Sequence, residues 1–271
     1  MKIIEIAKKN LSLNKTGVLI YSGLIAVFFF WFASVYDPDL FADLEEFYQN
    51  FPDAIKSLIG GSLSIGDYTS FMNVYLFSFA WMWIGLYFVL KASQDIPTEI
   101  EEKTIEITLS KPIRRWEFVL GKFLKHFLVL LFIVGLVMLG VYLAPFIFPK
   151  INPIDVNYFI LTIAFVLLII HLLSLLMTGF VFSVFFNRKL ALALSFGALI
   201  FFYAIGQFYG LFPEFMQSIK YLSMFYYFDT YTLLVNASLE GLLINMLVIS
   251  IYSVVLLIGS IFIFQKRNIP V

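Results

Sequence analysis

Eleven charged side chains crowd into residues 99–125 of a chain that holds only 18 Lys+Arg and 18 Asp+Glu in all. The stretch reads EIEEKTIEITLSKPIRRWEFVLGKFLK, opening on Glu99, Glu101, Glu102 and Glu106 and closing on Arg114, Arg115, Lys122 and Lys125. It contains no nucleophile and base at a workable spacing, so its chemistry is recognition: carboxylates, then guanidinium and ammonium groups, beside an apolar face. Elsewhere reactive groups are few. His171, Ser174 and Thr178 recur at i, i+3 and i+7 and share one face of a helix. Such a stripe lines a polar path, or packs helix on helix with its hydroxyls bonded back to their own carbonyls. Asp229 and the acidic residues of 37–70 are the other groups to which catalysis could be assigned. Two histidines and no cysteine leave no thiolate chemistry, no disulfide scaffold and no expected metal site. No G-x-x-x-x-G-K-[ST] occurs, so this chain does not cradle ATP on a P-loop.

The elements that must position these groups are membrane spans. The chain is 61% hydrophobic and 13% charged, where soluble domains carry about 25% charged residues. Apolar runs of about 20 residues cross the hydrocarbon core, and six are present: 17–36, 71–90, 127–148, 158–186, 190–209 and 242–264. The fold class expected is an all-α integral membrane protein, with one transmembrane domain over 1–271. Lys and Arg accumulate on the cytoplasmic side. With the N-terminus inside, 15 of the 18 basic residues fall on inner segments, leaving Lys56, Lys150 and Lys220 outside. Both termini are therefore expected in the cytoplasm of a multi-pass protein of the cell membrane. None of the six cores holds Asp, Glu, Lys or Arg, which argues against a proton-coupled secondary carrier. A polytopic membrane enzyme is the other alternative. The zero net charge gives no field favouring nucleic acid.

Between the spans, residues 1–16 place Ile3, Ile4, Ala7 and Leu11 on one face and read as an interfacial helix. The acidic outer loop 37–70 suggests a short helix at 40–49 and a turn at Gly60-Gly61. The aromatic outer segment 210–241 is expected to lie at the interface or to dip in and return, capping the outer end of the bundle. Gly206 and Gly210 have the spacing of a helix-contact pair, which suits a dimer face. In the inner segment 91–126, Pro97 is placed to open a helix over 99–110. Ser110 and Pro112 are placed to cap and start a second helix that runs into the third span, with Trp116 as an interface anchor and Arg114, Arg115, Lys122 and Lys125 at headgroup level or facing a protein.

The run Glu101-Glu102-Lys103-Thr104-Ile105, then Leu109-Ser110-Lys111-Pro112-Ile113-Arg114-Arg115-Trp116-Glu117 and Gly121-Lys122, resembles the inner loop of type-2 ABC permeases. Those are membrane subunits of exporters whose ATPase is a separate polypeptide. The resemblance implies that 99–110 is a coupling helix docking on the ATPase, with Glu101, Glu102 and Thr104 as polar contacts and Ile105 and Leu109 as apolar plugs. Ser110, Arg114 and Arg115 would lie at the docking edge or on anionic lipid. It further implies two ATPases, a second permease copy, lipid around the pair, and ATP and magnesium bound by the partner rather than here. Many members carry Gly just before the Thr, where this chain has Lys103.

Overall fold

The computed structural model describes residues 2–50, 65–110 and 112–267. Among the described residues, six helices are long and apolar enough to cross a membrane. They are α1 (Lys2–Val35), α3 (Tyr68–Glu101), α5 (Arg115–Ile147), α6 (Tyr158–Phe185), α7 (Arg188–Gln207) and α9 (Leu242–Lys266). Among the described residues three short α-helices connect them: α2 (Pro38–Gln49), α4 (Thr104–Leu109) and α8 (Thr230–Leu234). The chain is an all-α integral membrane protein. The turn expected at Gly60-Gly61 lies outside the described residues.

Length explains the most consequential departure from expectation. At 1.5 Å per residue α1 is about 51 Å long, against a hydrocarbon core of about 30 Å. No proline interrupts it, and residues 2–16 continue the first span as its opening turns rather than forming a separate interfacial helix. Its buried face, Ile6 and Ala7, packs on α5. A Cβ on Gly121 of α5 would lie 2.6 Å from Ile6, so only glycine admits this contact. α3 and α5 overrun in the same way, and all three excesses fall at the end that carries the basic residues. Pro97 opens no helix: it sits inside α3, which runs on to Glu101.

α6 is the most enclosed span and forms the centre of the bundle, packed between α3 and α9. Its closest approach to α3 is at Gly179, where an added Cβ would meet the Val89 carbonyl oxygen at 2.5 Å and Val89 Cα at 3.0 Å. α3 itself is wound wide over Asn73–Phe77 and again over Trp81–Gly85. At the end away from the basic residues, Tyr36 donates to the Gly66 carbonyl at 2.7 Å, and Glu45 accepts from the backbone of Ile65 and Gly66 at 3.1 and 2.9 Å. Lys150 pairs with Asp37 there, and this bond holds the Asp37 carboxyl below its ordinary range. The segment after α7 winds as 3-10 turns over Tyr209–Leu211 and Glu214–Leu222. It then turns inward, burying Ser223, Met224 and Phe225. Gly206 meets Ser223 within the same chain, at 2.5 Å from an added Cβ, so the Gly206 and Gly210 pair does not form one continuous face for a second copy.

Gly179→Ala is expected to destabilise the protein by about 1–3 kcal/mol, because an overpacked contact against backbone cannot relax by rotamer change. Gly259→Ala, with open space around it, is expected to be neutral. Thermal unfolding of both variants in one detergent checks this.

Candidate functional site

The overhanging ends of α1, α3 and α5 meet in a buried ion cluster. Asp95 and Glu99 are one turn apart on α3, and Lys122, Lys125 and His126 follow at the same spacing on α5, so both sets face each other. Asp95 accepts from Lys122 at 3.2 Å, Lys125 at 2.6 Å and His126 Nε2 at 3.0 Å. Lys122 also reaches Glu99 and, at 2.8 Å, the Asn10 side-chain oxygen on α1. Lys122 is 1% exposed and Lys125 is buried. Of the two expected positions, headgroup level or against protein, both lysines take the second, within their own chain: two ammonium groups are drawn inward by two carboxylates. A buried charge is tolerable only when paired and hydrogen-bonded, and here the formal charges of the four ions cancel. The paired i, i+4 acids and i, i+3 bases flanking neighbouring spans were the signal in the sequence.

Beyond the cluster the chain turns sharply. Glu102 ends α3, its N–H donating to Thr98 O at 2.9 Å, and Lys103 follows with φ of 56°. This left-handed position just past a helix end favours glycine. That is the physical reason a Gly suits the place where this chain has Lys103. The coupling helix expected over 99–110 is accordingly broken: 99–101 belong to α3, and only Thr104–Leu109 forms α4.

The side chains assigned to docking divide. Glu102 and Thr104 are exposed. Glu101 is exposed too, but its carboxylate accepts from the Arg188 backbone N–H at 3.1 Å, at the positive end of α7. Ile105 is 1% exposed and packs into the core, so it is no plug for a partner; Ile107 is 64% exposed instead. Residues two apart on a helix point to different sides, so α4 can turn only one of the two inward. α4 ends at Leu109, whose side chain lies outside the described residues. Ser110 closes α4, donating to Ile107 O at 3.1 Å, and caps nothing downstream. The next helix starts at Arg115, with Pro112 ahead of it and the Arg114 N–H bonded to Glu117 at 2.7 Å. Arg114 is exposed. Arg115 turns to α9, donating to the carbonyls of Gln265 at 3.2 Å and Arg267 at 2.6 Å. Arg267 in turn donates to the carbonyls of Ser183 and Val184 at the end of α6. Cations thus close two helix C-termini, and the two ends of the described chain lie at the same end of the bundle.

The stripe on α6 is buried. Ser174 donates to His171 O at 2.7 Å, and Thr178 bonds to Ser174 O and to the Tyr252 hydroxyl, both at 2.9 Å. His171 stacks on Phe228 at 4.2 Å and meets Phe225 edge-on at 4.9 Å. These are contacts of α6 with α9 and with the inturned segment. Asp229 caps α8, accepting from the Thr232 N–H at 3.0 Å and its hydroxyl at 2.5 Å.

Removing the charge of Asp95 leaves Lys122 with Glu99 alone and the buried Lys125 ammonium uncompensated. Asp95→Asn is expected to cost about 3–5 kcal/mol, read as loss of folded protein in detergent size exclusion, with partial recovery in the Asp95→Leu/Lys125→Met pair. Lys103→Gly is expected to unfold no earlier than wild type. Lys103→Ile is expected to lose about 1–2 kcal/mol, since a β-branched side chain is poorest in the left-handed region; thermal melts distinguish the two.

Among known families, residues 6–269 match the one described as ABC-2 family transporter protein. A search of curated proteins finds no match to the chain.

Proposed function

Because the chain belongs to the ABC-2 transporter family, we propose that it is the permease subunit of an ABC exporter, driven by a separate ATPase that docks on α4. The observation that carries this reading is the mounting of α4. It is a short helix with Thr104 and Ile107 exposed and Glu102 exposed in the turn before it, held between two spans that the Asp95 cluster fastens together. A partner pressing on α4 would meet Ile107 as the apolar contact, with Glu102 and Thr104 beside it and Arg114 at the edge. Leu109, at the end of α4, remains a proposed contact.

Two permease copies with two ATPases would place the path between the bundles, with ATP and magnesium bound by the ATPases. The basic end would face the cytoplasm of the cell, in keeping with the excess of Lys and Arg there. Motion of α4 would then reach the spans as displacement of α3 and α5 together. The chain itself would supply the path and the transmission, and no catalysis.

Purification of the tagged chain in mild detergent is expected to bring down a stoichiometric ATPase. Ile107→Glu with Glu102→Arg is expected to lose it while the permease still elutes as folded protein. A folded permease without ATPase in either preparation would contradict the reading.

A further inference from the structure

A cavity of about 1130 Å³ opens beside the ion cluster, between the overhanging parts of α1 and α3. Its walls change character with depth. Since α1 runs toward the membrane from Lys2 and α3 runs away from it, residues at equal depth can be matched along the two helices. Deepest are Tyr21 and Tyr87, stacked with ring centroids 4.1 Å apart. Val18 and Leu90 come next, then Lys91, then the amides of Asn14 and Gln94, and then Lys9. The ion cluster, with Asp95 and Glu99, forms one wall at these middle levels, and Glu5 and Glu102 lie nearer the outer end.

The charges in the middle of this sequence are unbalanced. Asp95 and Lys125 satisfy each other, and Lys122 is shared between Asp95 and Glu99. Lys9 and Lys91 are exposed to the cavity and have no carboxylate partner among the described residues. Arg188 adds a third cation at the wall, its guanidinium held by Gln94 at 3.2 Å. Lys91 and Lys9 are separated by roughly two turns of helix, about 10 Å, which flexible ammonium side chains can close from both sides. Cations bordering a channel that is aromatic and apolar toward the membrane match a phosphate attached to an acyl chain. They do not match a soluble anion, which would gain nothing from the deeper walls.

We propose that this cavity is a binding site for one anionic phospholipid of the adjoining leaflet. Its phosphate sits between Lys9, Lys91 and Arg188, and an acyl chain lies along Val18 and Leu90 toward the tyrosine pair. Glu102, Thr104 and Ile107 line its outer part, but none of them is among the proposed lipid contacts and binding requires neither the ATPase nor a second copy, so the site is tested separately from the docking reading.

Native mass spectrometry of the purified full chain tests it, with phosphatidylglycerol, phosphatidylcholine and glycerol 3-phosphate as separate probes. One phosphatidylglycerol is expected to bind in preference to phosphatidylcholine, with no displacement by glycerol 3-phosphate. Lys9→Gln/Lys91→Gln is expected to weaken it about thirtyfold, each lysine near an anionic headgroup contributing about fivefold. Asn14→Trp, which fills the space between Lys91 and Lys9 from an exposed position, is expected to abolish binding without loss of folding. Lys266→Gln, a cation of the same end outside the cavity, is expected to leave it unchanged. Equal binding of both lipids, displacement by glycerol 3-phosphate, or retention of phosphatidylglycerol in the cavity variants would overturn the proposal.

Discussion

Asp95 receives three donors from α5 in a place where water is largely excluded, and much of the basic end is arranged around that fact. Its carboxylate cannot be left alone there, nor can Lys122 or Lys125. The requirement that these charges cancel holds α3 against α5, and the bond from Lys122 to Asn10 adds α1. Hydrophobic packing alone would not do this. Among lipid tails, apolar helices gain little by choosing one another, and contacts are set by close-fitting small residues and by polar groups. Gly121 against Ile6 and Gly179 against Val89 supply the close fits. The ion cluster supplies the polar part.

From this constraint follows the use of the short helix α4. Its two flanks emerge from helices already joined by the cluster. Further ties close the same end: Glu101 to the start of α7, Arg115 to the end of α9, and Arg267 to the end of α6. A segment of six residues would have little mechanical consequence on a flexible loop. On this mounting, and on the proposed reading, it would be the exposed tip of two joined spans, which is what a transporter fed with energy from outside the membrane would require. The opposite end is built differently, from backbone bonds and an inturned aromatic segment whose Ser223 hydroxyl donates to the Phe202 carbonyl at 2.6 Å.

Much of this was legible in the residues. Runs of apolar side chains mark the six spans because length and hydropathy leave little alternative, and the loop around Thr104 carries its resemblance in plain order. What escaped reading has specific causes. A helix that overruns the bilayer has no marker at the point of exit, so residues 2–16 look like an independent amphipathic helix until Gly121 is seen receiving Ile6. Pro97 resembles a helix start, but in a span it is tolerated inside. Ile105 and Ile107 are equally apolar, and only the phase of α4, set by the left-handed turn at Lys103, decides which one faces out. For Lys122 and Lys125 headgroup level and a protein surface stay equally open, since a sequence does not say that Asp95 lies opposite them.

The central claim is that α4 and α5 move as one body because the Asp95 cluster joins their supports. Spin labels at Glu106 of α4, outside the proposed docking contacts, and at exposed Leu128 of α5 measure this directly by pulsed electron resonance in the complex with the proposed ATPase, with and without ATP. The account predicts one narrow distance distribution, unchanged by ATP in the otherwise wild-type chain. A nucleotide-dependent shift between these two labels would contradict it, because α4 would then be moving independently of the span it is held to drive.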